Sequence, residues 1–329
     1  MQSSADNTRR PEPRVAILLS TYNGVTFLRE QLDSLLAQSH ENWVLYWRDD
    51  GSSDATVEVL HSFAASAGQG RCVRLLHPEG RQGVTVSFLS LLRAVVPSLG
   101  EADAVAFADQ DDVWLPEKLA RGLAALRGPD ALADALADDG ARLPALYCAR
   151  QVLVDAWLNR IALSERHCAP TGFPAALAQN VATGCTIMLN REAARLVAAS
   201  RAAPATLHDW WCYLVVTAAG GRVLRDDTPV VLYRQHGSNV IGAPHSRWQR
   251  GLSAIKRGPQ VFMAVLRQHV AALCEQPELL TGPAHAELSA IARALEGHWW
   301  QRLAVLRIPG LTRENWAETL VFRAWFMLG

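Results

Sequence analysis

Val15-Ala16-Ile17-Leu18-Leu19, followed at once by Ser20-Thr21-Tyr22-Asn23-Gly24, is the stretch on which the reading of this chain turns. Five consecutive apolar residues leave no polar face for water, which is the pattern of a strand buried on both sides. Leu28, Leu32, Leu35 and Leu36 then recur at helical spacing. Working outward, the alternation repeats. Residues 43–47 predict a second strand and 54–65 a second helix with Ser52 or Ser53 as N-cap. Residues 72–76 predict a third strand, Phe88, Leu91, Leu92 and Val95 a third helix, and 104–107 a fourth strand. Strands alternating with helices predict an α/β fold, a Rossmann-like, mostly parallel sheet with helices on both faces.

In open sheets of this kind, ligands bind outside the carboxyl ends of the strands. Three polar clusters fall there: Ser20 to Asn23, Asp49-Asp50-Gly51-Ser52, and Asp109-Gln110-Asp111-Asp112. Three carboxylates within four positions repel one another unless a cation or hydrogen-bond donors compensate. Mg²⁺ and Mn²⁺ take oxygen ligands, typically one or two carboxylates plus substrate phosphates. The chemistry expected is therefore a carboxylate–metal–diphosphate bridge; the plainer reading is an acidic turn before the helix that Pro116-Glu117-Lys118 opens. A carboxylate at 49–50 can accept a hydrogen bond from a nucleobase or ribose, and the Tyr22 ring can stack on a base.

Composition narrows the class. Half of the 329 residues are apolar and the formal net charge is zero, so a globular chain with no broad nucleic-acid surface is expected. The six cysteines (72, 148, 168, 185, 212, 274) contain no CxxC pair and imply neither a zinc knuckle nor a disulfide framework. MQSSADNTRRPEPR lacks the apolar stretch of a signal peptide, and no apolar run approaches the ~20 residues of a membrane span. A cytoplasmic protein is expected, free or peripheral on the cytoplasmic face of the membrane.

Residues 1–13 read as a loose tail and 128–142 as an Ala/Asp-rich surface loop. Strands are expected at 146–154, 185–189, near Val223 and at 230–233, with helices from Arg191 and from Asp209. From about 244 the pattern is helical only. There Arg247, Arg250, Lys256 and Arg257 precede a tail carrying Trp299, Trp300, Trp316 and Trp325. Such a tail either packs its aromatic residues on the main domain or makes peripheral contact with a membrane.

STYNG at 20–24, RDDGSSDAT at 48–56 and ADQDDVWLPEKL at 108–119, in this order and spacing, resemble the nucleotide-binding half of family 2 glycosyltransferases. NVATGCTIMLNR at 180–191, HDWW at 208–211 and YRQHGSNVIGA at 233–243 resemble that family's rhamnosyltransferase-like branch. The resemblance implies a GT-A domain over 14–243, with a nucleotide-binding half at 14–127 and an acceptor half at 145–243, followed by a helical region at 244–329. It implies an inverting transfer from a nucleotide-diphosphate sugar, with dTDP-L-rhamnose favoured, and a divalent cation, Mg²⁺ or Mn²⁺. The acceptor implied is a saccharide or lipid-linked saccharide.

Carried onto this sequence, the resemblance puts Ser20, Thr21 and Tyr22 at the base and gives Asp50 a hydrogen bond to it. Asp111 faces the ribose, Asp112 holds the metal with Asp111 and His236, and Asp109 stands behind them. Arg234 can pair with phosphate, and Asp209 is the general base. Thr183, Gly184, His208 and Trp210 shape the acceptor side. Three alternatives compete: a UDP-hexose-dependent enzyme of the same fold, a sugar-phosphate nucleotidyltransferase, and a non-catalytic nucleotide-sugar-binding module. The second wants a basic residue in the first loop, which Ser20 to Gly24 lacks, and the third has no use for Asp209.

Overall fold

β1 (Val15–Thr21) is the axis of the molecule, with Val15 to Leu19 completely buried. Ala16 and Leu18 face one core; Val15, Ile17 and Leu19 face another on the opposite side of the sheet. The computed structural model describes residues 12–76, 81–128, 142–168, 170–237 and 247–329, the stretch 247–258 by backbone alone. Expectations for residues 1–11, for 129–141, for 238–243 and for the side chains of Arg247, Arg250, Lys256 and Arg257 lie outside the described residues.

The first half runs α1 (Val25–Leu36), β2 (Trp43–Asp49), α2 (Thr56–Ala65), β3 (Cys72–Arg74), α3 (Val84–Val95), β4 (Ala104–Ala108), β5 (Val113–Trp114) and α4 (Lys118–Leu126). The second half runs β6 (Ala145–Val154), β7 (Arg160–Leu163), α5 (Ala175–Ala178), β8 (Met188–Asn190), α6 (Arg191–Ala199), α7 (His208–Ala218) and β9 (Arg222–Arg234). Four helices close the chain: α8 (Arg247–Cys274), α9 (Gly282–Glu296), α10 (Trp299–Val305) and α11 (Trp316–Leu328).

Among the described residues the strands form one sheet in the order β3-β2-β1-β4-β8-β6-β9-β5, with β7 paired to β6. β3, β2, β1 and β4 are mutually parallel, while β8 runs antiparallel to both β4 and β6. Register does the work the site needs: Thr21 lies opposite Asp49, and Leu19 opposite Ala108. The three polar clusters therefore leave the sheet side by side.

Several boundaries differ from the sequence reading. The second helix starts at Thr56 because the Asp54 carboxylate accepts the Thr56 amide at 3.0 Å, while Ser52 and Ser53 bond elsewhere. Residues 184–186 form a 3-10 turn rather than strand, since the Thr186 amide closes back on the Thr183 carbonyl at 2.8 Å. The two strands expected near 223 and 230–233 are one continuous β9, paired to β6 along its length.

The closing helices share the core of α3, α6 and α7: Met263, Leu266, Val270, Ile291, Phe322 and Phe326 are buried in it with Leu92, Val105 and Trp211. The tail tryptophans divide. Trp325 turns inward against Phe262, with ring centroids 5.7 Å apart, whereas Trp299, Trp300 and Trp316 are exposed. No helix among the described residues is long and apolar enough to cross a membrane.

Candidate active site

Asn23 is the residue that joins the first two clusters. It sits at φ +47°, a left-handed conformation that Asn tolerates better than most residues, and this turns its groups toward the loop after β2. Its amide donates to Ser52 Oγ at 2.8 Å, and its Oδ1 accepts the Ser53 amide at 2.8 Å. The Gly24 amide donates to Thr56 Oγ1 at 2.8 Å. Gln110 ties in the third cluster: its Oε1 accepts the Tyr22 amide at 2.9 Å and its Nε2 donates to the Tyr22 carbonyl at 3.0 Å. A Cβ on residue 24 would collide with the Gln110 side chain, so Gly24 is what lets this clamp close.

The two aspartates after β2 have distinct tasks. Asp49 accepts the Gly51 and Ser52 amides and the hydroxyls of Thr21 and Ser52, which shapes the turn. Asp50 is buried; its Oδ1 accepts from Gln82 N, Arg48 Nη1 and Ser87 Oγ, and its Oδ2 accepts the Gly83 amide at 2.8 Å. An ionised carboxylate offers about four lone-pair sites, so Oδ2 keeps room for one outside donor. Asp50 also pins the loop that carries Arg81, whose guanidinium lies 3.9 Å from the centre of the Tyr22 ring.

These loops wall one cleft of about 890 Å³. Ser20, Thr21, Tyr22, Asp50, Asp109 and Asp111 line it from the first half of the chain. Thr183, Gly184, His208, Asp209, Trp210 and His236 line it from the second. The volume falls in the range of small-molecule sites.

Two expected residues do not reach the cleft. Asp112 is completely buried, its Oδ1 accepting the Arg234 amide at 3.1 Å, and it offers a ligand atom to the group it forms with Asp109 and Cys185. Arg234 is 1 % exposed, and its guanidinium is committed to the Asp111 carbonyl, the Ala156 carbonyl and the Glu30 carboxylate, with its face over Phe27. In this arrangement it buttresses the acidic turn.

Two groups of side chains compete as cation ligands. Asp109, Asp112 and Cys185 offer ligand atoms all within 4.8 Å of one another. Burial and the nearby carboxylates, however, push the Cys185 thiol well up, so it is protonated. The same buried cluster already faces the Lys118 ammonium, which lies 3.0 Å from the centre of the Trp114 ring. Asp109, Asp111 and His236 instead border the cleft, with His236 Nε2 2.9 Å from Asp111 Oδ2. Among the described residues, the group that brings three ligand atoms within 4.8 Å of one another is Asp109, Asp112 and Cys185, while Asp111 and His236 pair beside it at the cleft.

Asp209 stands across the cleft in the first turn of α7. Its Oδ2 accepts the Gly184 amide at 3.2 Å and its Oδ1 the Trp210 amide at 2.5 Å. Burial raises its pKa to about 6, with these donors and Asn180 opposing. Asp209 is near enough to Asp109 to help raise that carboxyl above its usual range, behind burial and Asp111. Trp210 anchors the turn by donating from Nε1 to the Ala176 carbonyl at 2.7 Å.

Sequence reasoning missed Gln110, Arg81 and Lys118. A signal existed for the last: a lysine in the first turn of a helix opposes the helix dipole, so its presence in α4 pointed to nearby carboxylates.

The sheet and its converging strand ends have the architecture of the GT-A fold. Residues 16–140 match the family described as glycosyl transferase family 2. The chain is 25% identical over 232 residues to the dTDP-rhamnosyl transferase RfbG of Shigella flexneri, covering 68% of this chain and 74% of that protein. Two further curated relatives match over shorter stretches, the chain spanning 25% and 38% of their length. Among solved structures it is similar to S. aureus TarS in complex with UDP-GlcNAc, with a TM-score of 0.53 and 13% identity over 85% of this chain and 71% of that one. It is also similar to the mannosyltransferase PcManGT of Pyrobaculum calidifontis in complex with GDP-Man and Mn²⁺, with a TM-score of 0.50 and 17% identity over 96% of this chain and 85% of that one.

Proposed function

We propose that this chain is an inverting, cation-dependent transferase that moves L-rhamnose from dTDP-L-rhamnose to a hydroxyl of a saccharide or lipid-linked saccharide during assembly of a cell-surface polysaccharide. The observation that carries the reading is that Asp209 borders the same cleft as Asp109 and Asp111. The likeness to RfbG supports the rhamnosyl donor.

In this reading Tyr22 and Asp50 receive the base, and Asp109 and Asp111 the ribose and diphosphate. Asp112, Asp111 and His236 would hold Mg²⁺ or Mn²⁺, which would neutralise the charge gathering on the departing nucleoside diphosphate. Asp209 removes the proton from the acceptor hydroxyl as that oxygen attacks the anomeric carbon. The new glycosidic bond forms on the face opposite the breaking C–O bond, whose electron pair leaves with the diphosphate. One base suffices, and Thr183, Gly184 and Trp210 border the acceptor. The exposed Trp299, Trp300 and Trp316 are suited to peripheral membrane contact beside a lipid-linked acceptor.

The test is donor hydrolysis and transfer with dTDP-L-rhamnose against UDP-glucose, each with and without Mn²⁺. Preference for dTDP-L-rhamnose and dependence on the cation are expected. Turnover of UDP-glucose alone would remove the rhamnosyl assignment while keeping the transferase.

A further inference from the structure

Arg150 lines the cleft from β6 with its charge unmatched. Its Nε donates to the Ser164 carbonyl at 2.9 Å and its Nη2 to the same oxygen, which holds the half-buried guanidinium in place. Nη1 stays accessible and has no hydrogen-bond partner among the described residues, and no carboxylate among them pairs with the group. The acids that line this end of the cleft are engaged elsewhere. Asp226 pairs with Arg121 at 2.8 Å and Asp227 with Arg166 at 2.5 Å, and Glu165 is not free either. A half-buried cation without a counter-ion is unfavourable, and this one opens onto a ligand cleft.

The sheet shows which part of a substrate comes here. Leu146 and Cys148 belong to the core that α7 packs into, and Arg150, two residues on, keeps to that face, the one carrying Asp209. Ala106 and Tyr147 both pair with Met188, so Asp109 and Arg150, each three residues farther, stand level. Their strands are two places apart, roughly 10 Å at the usual spacing. Register with β9 breaks on both sides of Arg150: Ala149 pairs with Asp226, Arg150 with Pro229 and Gln151 with Val231. Bulges of this kind re-aim side chains beside sites. With the diphosphate at Asp109 and Asp111, Arg150 lies past the sugar in transit, where the acceptor enters. We propose that Arg150 binds an anionic group on the acceptor, a phosphate or a carboxylate, and so selects a charged saccharide. This rests on the nucleotide-sugar reading above. A guanidinium makes charge-assisted hydrogen bonds to either oxyanion.

Donor hydrolysis by the full chain, with water in place of the acceptor, tests this on whichever donor is turned over, dTDP-L-rhamnose or UDP-glucose. Glucose, glucuronic acid and glucose 1-phosphate are compared as inhibitors. At least one charged sugar should inhibit about tenfold more tightly than glucose, the worth of a charge-assisted hydrogen bond. An advantage for glucose 1-phosphate alone would assign a phosphoryl group, as on a lipid-linked acceptor; one for glucuronic acid alone would assign an acidic sugar. Arg150→Gln should erase the advantage and leave the KM for the donor unchanged. Arg150→Lys, which keeps the charge, should retain most of it. Arg150→Met serves in place of the glutamine variant if circular dichroism shows the latter unfolded. Charged sugars that inhibit no better than glucose would overturn the inference. So would an advantage that survives in Arg150→Gln, the mark of competition at the diphosphate side. A wild-type chain that hydrolyses neither donor would overturn the inference together with the functional reading beneath it.

Discussion

Asp209 combines two features that a base needs and a surface carboxylate lacks. Two backbone amides and Asn180 hold it in place, and burial raises its pKa to about 6. A general base works best when its pKa lies near the operating pH. The base is active ionised, so transfer should be flat above about pH 6 and fall about tenfold per unit below it. A kcat–pH profile checks this. Asp209→Asn should abolish transfer at every pH while dTDP binding persists; lost binding would assign Asp209 to structure alone. At this scale the sequence was a partial guide. That an acidic run follows β4 was legible, but which carboxylate faces the cleft was not. Residues 109–112 leave the strand in a turn, where the alternation of faces that orients strand residues no longer applies.

At the scale of elements, the site is a set of strand ends laced by side-chain-to-backbone hydrogen bonds. Gln110 is the clearest case, because its amide answers both the N–H and the C=O of Tyr22. Gln110→Ala should lower stability by about 1–3 kcal/mol, the worth of two such bonds, and loosen nucleotide binding. Urea unfolding and titration with dTDP measure the two effects. Unchanged values in both would mean that the loops hold without the clamp. The α/β alternation was legible because β1 and β4 are buried on both faces and so carry unbroken apolar runs. The 3-10 turn at Gly184–Thr186 was not, because its apolar composition mimics a strand and only the closure onto Thr183 distinguishes it.

Across the whole molecule, the closing helices complete the core behind α7, the helix that carries Asp209. Phe326 is fully buried there, at the far end of the chain from β1. Phe326→Ala should cost about 3–5 kcal/mol and shift a single unfolding transition, seen alike by circular dichroism and tryptophan fluorescence. Two separate transitions would mean that the helical region folds as its own unit. That this region is helical was legible from its spacing. Which tryptophans turn inward depends on partners far away in the chain, such as Phe262 for Trp325. The central claim concerns the cleft, and thermal shift with dTDP and Mn²⁺ tests it most directly. The account predicts a rise in Tm that needs nucleotide and cation together and disappears in Asp111→Asn; a Tm unmoved by any nucleoside diphosphate, or moved equally in the variant, would contradict it.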